Sequence, residues 1–237
     1  MIDVSTSNAI ATITLDDCTR LTRHDLDFGL ALRDAVRDAA DSDDIKAIVI
    51  RVGSADFCPD AVPLAGKTGF GPAWHEAYAA PTGLYQNICF CKKVVITAVR
   101  GQCAGAGSLL VLCSDLTAAA ADATFASPFS ALPEANLVLA ALTMRLNRAK
   151  SWMLGGQALS AREAFDAGLI NRIAAGDALD EVAQKMARAV ARMPLDGIAM
   201  SKINVETSLD AQGVGREFDM AGFYAQSLQQ ARDEAAT

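Results

Sequence analysis

Apolar and polar positions along this chain repeat with two periods. "AIATITL" (9–15) alternates apolar and β-branched residues and predicts a strand. "DLDFGLALRDAVRDAA" (25–40) spaces Leu26, Leu30, Val36 and Ala39 as one face of a helix, with acidic residues at its start. "IKAIVIRV" (45–52) and "VVITAV" (94–99) are unbroken apolar runs, as expected of parallel strands covered on both faces. Between them lie a Gly- and Pro-rich loop (53–72) and a predicted helix near 73–91, interrupted at Pro81. "SLLVLCSD" (108–115) reads as a buried helix and "LTAAAADATF" as a strand with its exit. From about residue 145 the pattern is helical: "RLNRAKSWML", then "SAREAFDAG", with Ser160 as N-cap and Gly168 as stop. Amphipathic helices are expected at 177–193 and roughly 210–234. Strands alternating with helices, then helices alone, predict an α/β core (1–175) followed by a C-terminal helical region (176–237).

Composition narrows the function classes. The 237 residues are 51% hydrophobic and 21% charged, which is an ordered, globular balance. A net charge of −7 lacks the electrostatic footprint of a nucleic-acid binder. No apolar run reaches the ~18 residues of a membrane span, and the N-terminus has no signal-peptide pattern. The six cysteines form no CxxC pair and sit mostly in apolar surroundings, so buried reduced thiols and a cytoplasmic location are expected. With only His24 and His75 present, no metal site is expected.

The candidate chemistry centres on "VITAVRGQCAGAGSLLVLCSD" (95–115), where three glycines separate a buried strand from a buried helix. Bare backbone at such a turn serves either close helix–strand packing or a ligand that approaches main-chain N–H groups. Here the amides of Gly105, Ala106 and Gly107 would sit at the positive end of the helix dipole. A second loop, "GSADFCPDAV", leaves the neighbouring strand at the same end, where open α/β sheets bind ligands. Two loops that each give one N–H to the same oxygen make an oxyanion hole. The third glycine of a dinucleotide fingerprint is absent, as are the P-loop and G-x-S-x-G motifs.

"IKAIVIRVGSADFCPDAV", "ITAVRGQCAGAGSLLVLCSDL", "ATFASPF" and "MLGGQALSAREAFDAGLINRI" together resemble the enoyl-CoA hydratase/isomerase (crotonase) superfamily, in order and spacing, over nearly the whole chain. The resemblance implies a crotonase-like spiral of ββα units with a C-terminal helical extension used in trimerisation. It also implies an acyl-CoA thioester substrate, with coenzyme A entering as part of that substrate and no separate cofactor. A homotrimer or dimer of trimers follows, with no nucleic-acid or membrane partner. By position, the two backbone donors fall on Ala61 and Ala106, flanked by Gly105 and Gly107. Pro59 and Asp60 depart from the family's Ala-Gly, and Ala106 stands where the family carries the middle glycine.

The usual two glutamates of the family's hydratases are replaced here by Leu109 and Phe129. Both alignments of "FSALPEANL" nominate Glu134 as the remaining acid, with Asp60 as the next candidate. One carboxylate in an apolar pocket, lined by Leu109 and Phe129, suits proton removal and return beside a polarised thioester. The expected activity is therefore double-bond isomerisation with Glu134 as the shuttle. Hydratase, lyase or hydrolase chemistry with an altered acid set, and a non-catalytic acyl-CoA-binding subunit, are the alternatives. Lys202 resembles a family lysine near the CoA phosphates; a solvated surface lysine is the competing reading.

Overall fold

The computed structural model describes residues 1–23, 25–59, 83–128 and 137–220. Its main sheet has six strands in the order β1-β2-β3-β4-β6-β9: β1 (Ile2–Ser7), β2 (Ile10–Leu15), β3 (Ala47–Val52), β4 (Val94–Val99), β6 (Leu116–Ala120) and β9 (Arg172–Ala174). β1 runs antiparallel to β2, and every later pairing is parallel. The runs at 9–15, 45–52 and 94–99 thus form the strands expected of them.

β1 is not among the strands that the sequence predicts: its alternation is short, with Ile2 and Val4 as its apolar residues. Beyond the half-buried Ile2, which packs against the core, its residues are exposed, because it is an edge strand with little covering either face. The turn into β2 places Asn8 and Ala9 at φ 52° and 61°, the left-handed pair of a tight hairpin.

Side chains on the inner strands alternate between two cores. A short α1 (Thr19–Thr22) precedes α2 (Leu26–Asp41). Ile13, Leu15, Ile48, Ile50, Val95 and Val99 face α2, α3 (Leu84–Cys89) and α4 (Ala106–Cys113). Ile10, Ala47, Val49, Ile96, Ala98 and Ala118 face Leu179, Ala183 and Ala187 of α8 (Leu179–Ala191). The alanines on this second face let α8 lie close to the sheet.

A second sheet of three short strands, β5 (Gln102–Cys103), β7 (Thr124–Phe125) and β8 (Leu159–Ser160), takes the chain as it leaves the first. β4 is followed by β5 and then α4, and β6 by β7, so strand–strand–helix units wind in succession. This is the α/β spiral that the resemblance implies.

Local signals set the helix ends. Asp25 caps α2 by accepting the Phe28 N–H at 3.1 Å. Ser160 and Glu163 form a capping box at the start of α7 (Ala161–Ala167), and Gly168 ends it at φ 91°. α5 (Leu137–Thr143) and α6 (Leu146–Gly155) precede it.

Two expected boundaries need correction. The helix placed at 73–91 is described only from 83, where it spans Leu84–Cys89, and its earlier part lies outside the described residues. The helix placed at roughly 210–234 is preceded by α9 (Leu195–Ala211); Gly213, at φ 92°, separates the two, helix resumes at 214–220, and the rest of the expected span lies outside the described residues.

Candidate active site

The site begins where β3 and β4 end. The Phe57 N–H donates to the Arg100 carbonyl at 2.8 Å, the Cys58 N–H to the Gln102 carbonyl at 2.9 Å, and the Ala104 N–H to the Cys58 carbonyl at 2.8 Å. Cys58 and Cys103 are parallel bridge partners, so the two loops run side by side as a short ladder. Asp56 adds a side-chain tie, its Oδ1 accepting the Gln102 N–H at 2.8 Å.

Gly101 permits this approach. It sits at φ 55°, and a Cβ there would lie 2.2 Å from Asp56 Oδ1 and 2.8 Å from the Ala55 carbonyl oxygen. Gly105, the N-cap of α4, has φ 49° and ψ −117°, a conformation that side-chain-bearing residues avoid.

The three amides of the glycine turn differ in use. α4 begins at Ala106, two residues before the expected start. The Gly107 N–H is spent on the Ala104 carbonyl at 2.9 Å. The Ala106 N–H donates to no partner among the described residues. Ala106 is fully buried, and its N–H stands with those of Gly105 and Ser108 as an orphan donor, among the described residues, at the positive end of an eight-residue helix. An orphan buried amide is costly unless a ligand accepts from it.

Gly107 is required by packing: a Cβ would come within 2.4 Å of Cys58 Cβ and 3.2 Å of Phe57. Of the two readings of the glycine turn, close packing fits Gly107 and an anion-facing amide fits Ala106.

Beneath the turn lies a thiol cluster. The Cys18 thiol holds Cys58 below its usual range, with burial opposing and Thr22 and the Gly107 amide assisting. The Thr22 hydroxyl is 3.8 Å from the Cys58 sulfur. Ser108 donates to the Ala126 carbonyl at 2.6 Å, fastening α4 to the exit of β7. All six cysteines are buried free thiols.

Leu109 is completely buried in the core, one turn into α4, and presents no proton-transfer group there. Lys202 is buried and paired with Asp115, whose other oxygen accepts the Val95 N–H at 2.8 Å. Burial pushes Asp115 up from the ordinary carboxylate value, and Lys202 opposes that rise. The solvated-surface reading of Lys202 is therefore excluded. Ala61, Phe129, Glu134 and the reserve candidate Asp60 lie outside the described residues.

Reasoning from the sequence missed Asp56 and Cys58 as the parts that join the loops. The signal was present in part: Cys58 lies three residues before Ala61 in the quoted motif, but its bond to Ala104 spans two strands.

Comparison with known proteins gives the family. A family model described as enoyl-CoA hydratase/isomerase matches residues 5–235. The chain is 27% identical to a 1,2-epoxyphenylacetyl-CoA isomerase from Escherichia coli over 205 residues, covering 81% of this chain and 77% of that protein. It is 26% identical to 4-chlorobenzoyl coenzyme A dehalogenase-1 from an Arthrobacter species, covering 87% of this chain and 79% of that protein. The crystal structure of a probable enoyl-CoA hydratase from Mycobacterium thermoresistibile superposes with a TM-score of 0.79 at 26% identity, covering 95% of this chain and 93% of that one. The chain belongs to the enoyl-CoA hydratase/isomerase family.

Proposed function

We propose that this protein processes acyl-CoA thioesters by stabilising an enolate oxygen on the Ala106 and Ala61 amides, and that its reaction is the shift of a 3-enoyl double bond to the 2-position. The carrying observation is the orphan Ala106 N–H at the start of buried α4, in a turn tied to Cys58 of the neighbouring loop. A thioester carbonyl placed there gains negative charge as its α-carbon loses a proton. Donors aimed at that developing charge lower the barrier.

Glu134 is the proposed base. Its carboxylate takes a proton from C2 of the 3-enoyl chain, and the electron pair moves through the dienolate onto the thioester oxygen. The same carboxyl group returns the proton to C4, the double bond re-forms between C2 and C3, and nothing else is consumed. One carboxylate suffices because the proton leaves and re-enters on one face. The buried, apolar Leu109 supports a single-base reaction over hydration, which needs a second group to position water. The names of two relatives, an isomerase and a dehalogenase of CoA thioesters, support the substrate class while leaving the reaction open.

Assembly into a trimer, and a cytoplasmic location, complete the reading. α9 supports self-association: it buries only Ile198 and Lys202 and exposes Met200, Ile203 and Val205. No described helix is long and apolar enough to cross a membrane.

A screen of 2-enoyl-, 3-enoyl- and 3-hydroxyacyl-CoA esters tests the proposal by following double-bond migration, water uptake and free thiol. Migration without water uptake is expected. Water uptake or thiol release as the dominant signal contradicts the isomerase reading, and binding without turnover contradicts catalysis itself.

A further inference from the structure

The Ser108 hydroxyl is spent outside its own helix. A serine within a helix ordinarily bonds the carbonyl four residues back. Here that carbonyl, of Ala104, takes the Gly107 N–H instead. The fully buried Ser108 hydroxyl reaches two other carbonyls, Ala126 at 2.6 Å and Cys103 at 3.1 Å. It has one proton to give, and the shorter contact to Ala126 is the stronger claim on it.

Both acceptors belong to a braced frame. Cys103 ends β5, and its carbonyl also accepts the Ala126 N–H at 2.8 Å. Ala126 leaves β7, where the Trp152 indole N–H donates to the Phe125 carbonyl at 2.9 Å and the Ser127 hydroxyl to the Met153 carbonyl at 3.0 Å. Trp152 and Met153 of α6 thus hold the exit of β7, and Ser108 joins the first turn of α4 to it. Within that turn the Leu109 N–H bonds the Gly105 carbonyl at 3.1 Å and the Gly107 N–H bonds the Ala104 carbonyl, so Ala106 moves with Ser108.

We propose that Ser108 is a positioning residue: its hydroxyl pins the first turn of α4 to the ends of β5 and β7 and so sets where the Ala106 N–H points. This rests on the oxyanion reading of Ala106 given above. The hydroxyl and the donor lie in one buried helical turn, two positions apart. Without the hydroxyl the Ala126 carbonyl loses a donor in the interior, and the turn or the strand exit must shift to replace it. Misplacing a catalytic group by about 1 Å lowers the rate by up to roughly 10²-fold.

Ser108→Ala tests the role. With 3-hexenoyl-CoA as probe, kcat should fall about ten- to hundredfold while KM and butyryl-CoA affinity stay near wild type. The carbonyl stretch of bound butyryl-CoA, isolated by isotope editing in the infrared, reads the donor itself. Wild-type protein should lower its frequency, and Ser108→Ala should return it toward the solution value. Ser108→Cys, kept under reductant because the Cys103 sulfur lies 3.8 Å from the hydroxyl, places a weaker donor there and should fall between the two. It is read in the same way if the Ala variant does not fold. A hydroxyl that serves stability alone would lower the melting temperature and leave kcat and the carbonyl frequency unchanged well below it. That result overturns the positioning role and leaves the oxyanion hole standing. Wild-type protein that binds the ester without lowering its carbonyl frequency would overturn the oxyanion reading, and the positioning role with it.

Discussion

The Ala104 N–H donates to the Cys58 carbonyl at 2.8 Å, and this bond joins two loops that leave different strands. With the Cys58 N–H bonded to Gln102 and Asp56 bonded to the same residue's amide, neither loop shifts without the other. The Ala106 donor follows Ala104 by two residues, and Ala61 follows Cys58 by three. The proposed hole would draw its spacing from main-chain bonds, so alanine at 106, which keeps the N–H, is compatible with it.

The contact of Gly107 with Cys58 gives a stability prediction. Gly107→Ala places a Cβ 2.4 Å from Cys58 Cβ, so backbone must move. Overpacking of this kind costs about 1–3 kcal/mol, and here it should also lower turnover by parting the loops. Cys58→Gly in the same chain removes the clashing atom and should recover part of the activity. Denaturant midpoints and kcat for the two single variants and the double variant make the cycle.

Glu134→Gln preserves size while removing the proposed proton acceptor. Turnover of a 3-enoyl-CoA should drop by roughly 10²–10⁴, the contribution of a positioned acid or base. Binding of butyryl-CoA, followed by calorimetry, should change little. Retained turnover in this variant transfers the role to another acid, with Asp60 first.

Lys202→Met separates a structural lysine from one that holds the CoA phosphates. The substitution leaves the buried Asp115 carboxylate without its partner charge, a loss of about 3–5 kcal/mol when such a pair is broken. Asp115 already has its folded pKa raised by burial, and removing Lys202 raises it further. An acid whose folded pKa lies above its unfolded value destabilises the fold as pH rises through the folded pKa. The deficit of the variant should therefore be largest near neutral pH and shrink on acidification, as Asp115 protonates. Denaturant curves at pH 5 and pH 7.5 read this, and near-wild-type stability with weakened CoA-ester binding would assign Lys202 to the phosphates instead.

Much of the fold is legible in the sequence because burial on both faces leaves unbroken apolar runs: 94–99 is a strand to the residue. Ser160 and Gly168 mark the ends of α7 because capping and left-handed termination are local chemistry. β1 is illegible because an edge strand buries almost nothing. α9 is illegible because Ile198 and Lys202 are its only buried residues, too few to draw an apolar stripe.

At the site, the glycine turn announces exposed backbone, but which amide is free depends on how the turn folds back on itself, the Ala104 carbonyl taking the Gly107 N–H. The partner of Lys202 is 87 positions away, and Glu217, which accepts the first two amides of α5, is about as remote. Pairings of that range are made by the fold and leave no periodic trace in the chain.

The most direct test of the account pairs Ala106→Pro with Ala106→Gly and measures deuterium entry into 3-hexenoyl-CoA. Position 106 is the first residue of α4, where proline is well tolerated because its missing N–H has no helical partner, so the fold should survive. Proline removes the proposed donor, and exchange should fall by about 10²–10³, the usual loss for one oxyanion-hole donor. Glycine keeps the amide and should retain most of the exchange. Wild-type exchange in a folded Ala106→Pro protein would contradict the oxyanion hole and the enolate chemistry built on it.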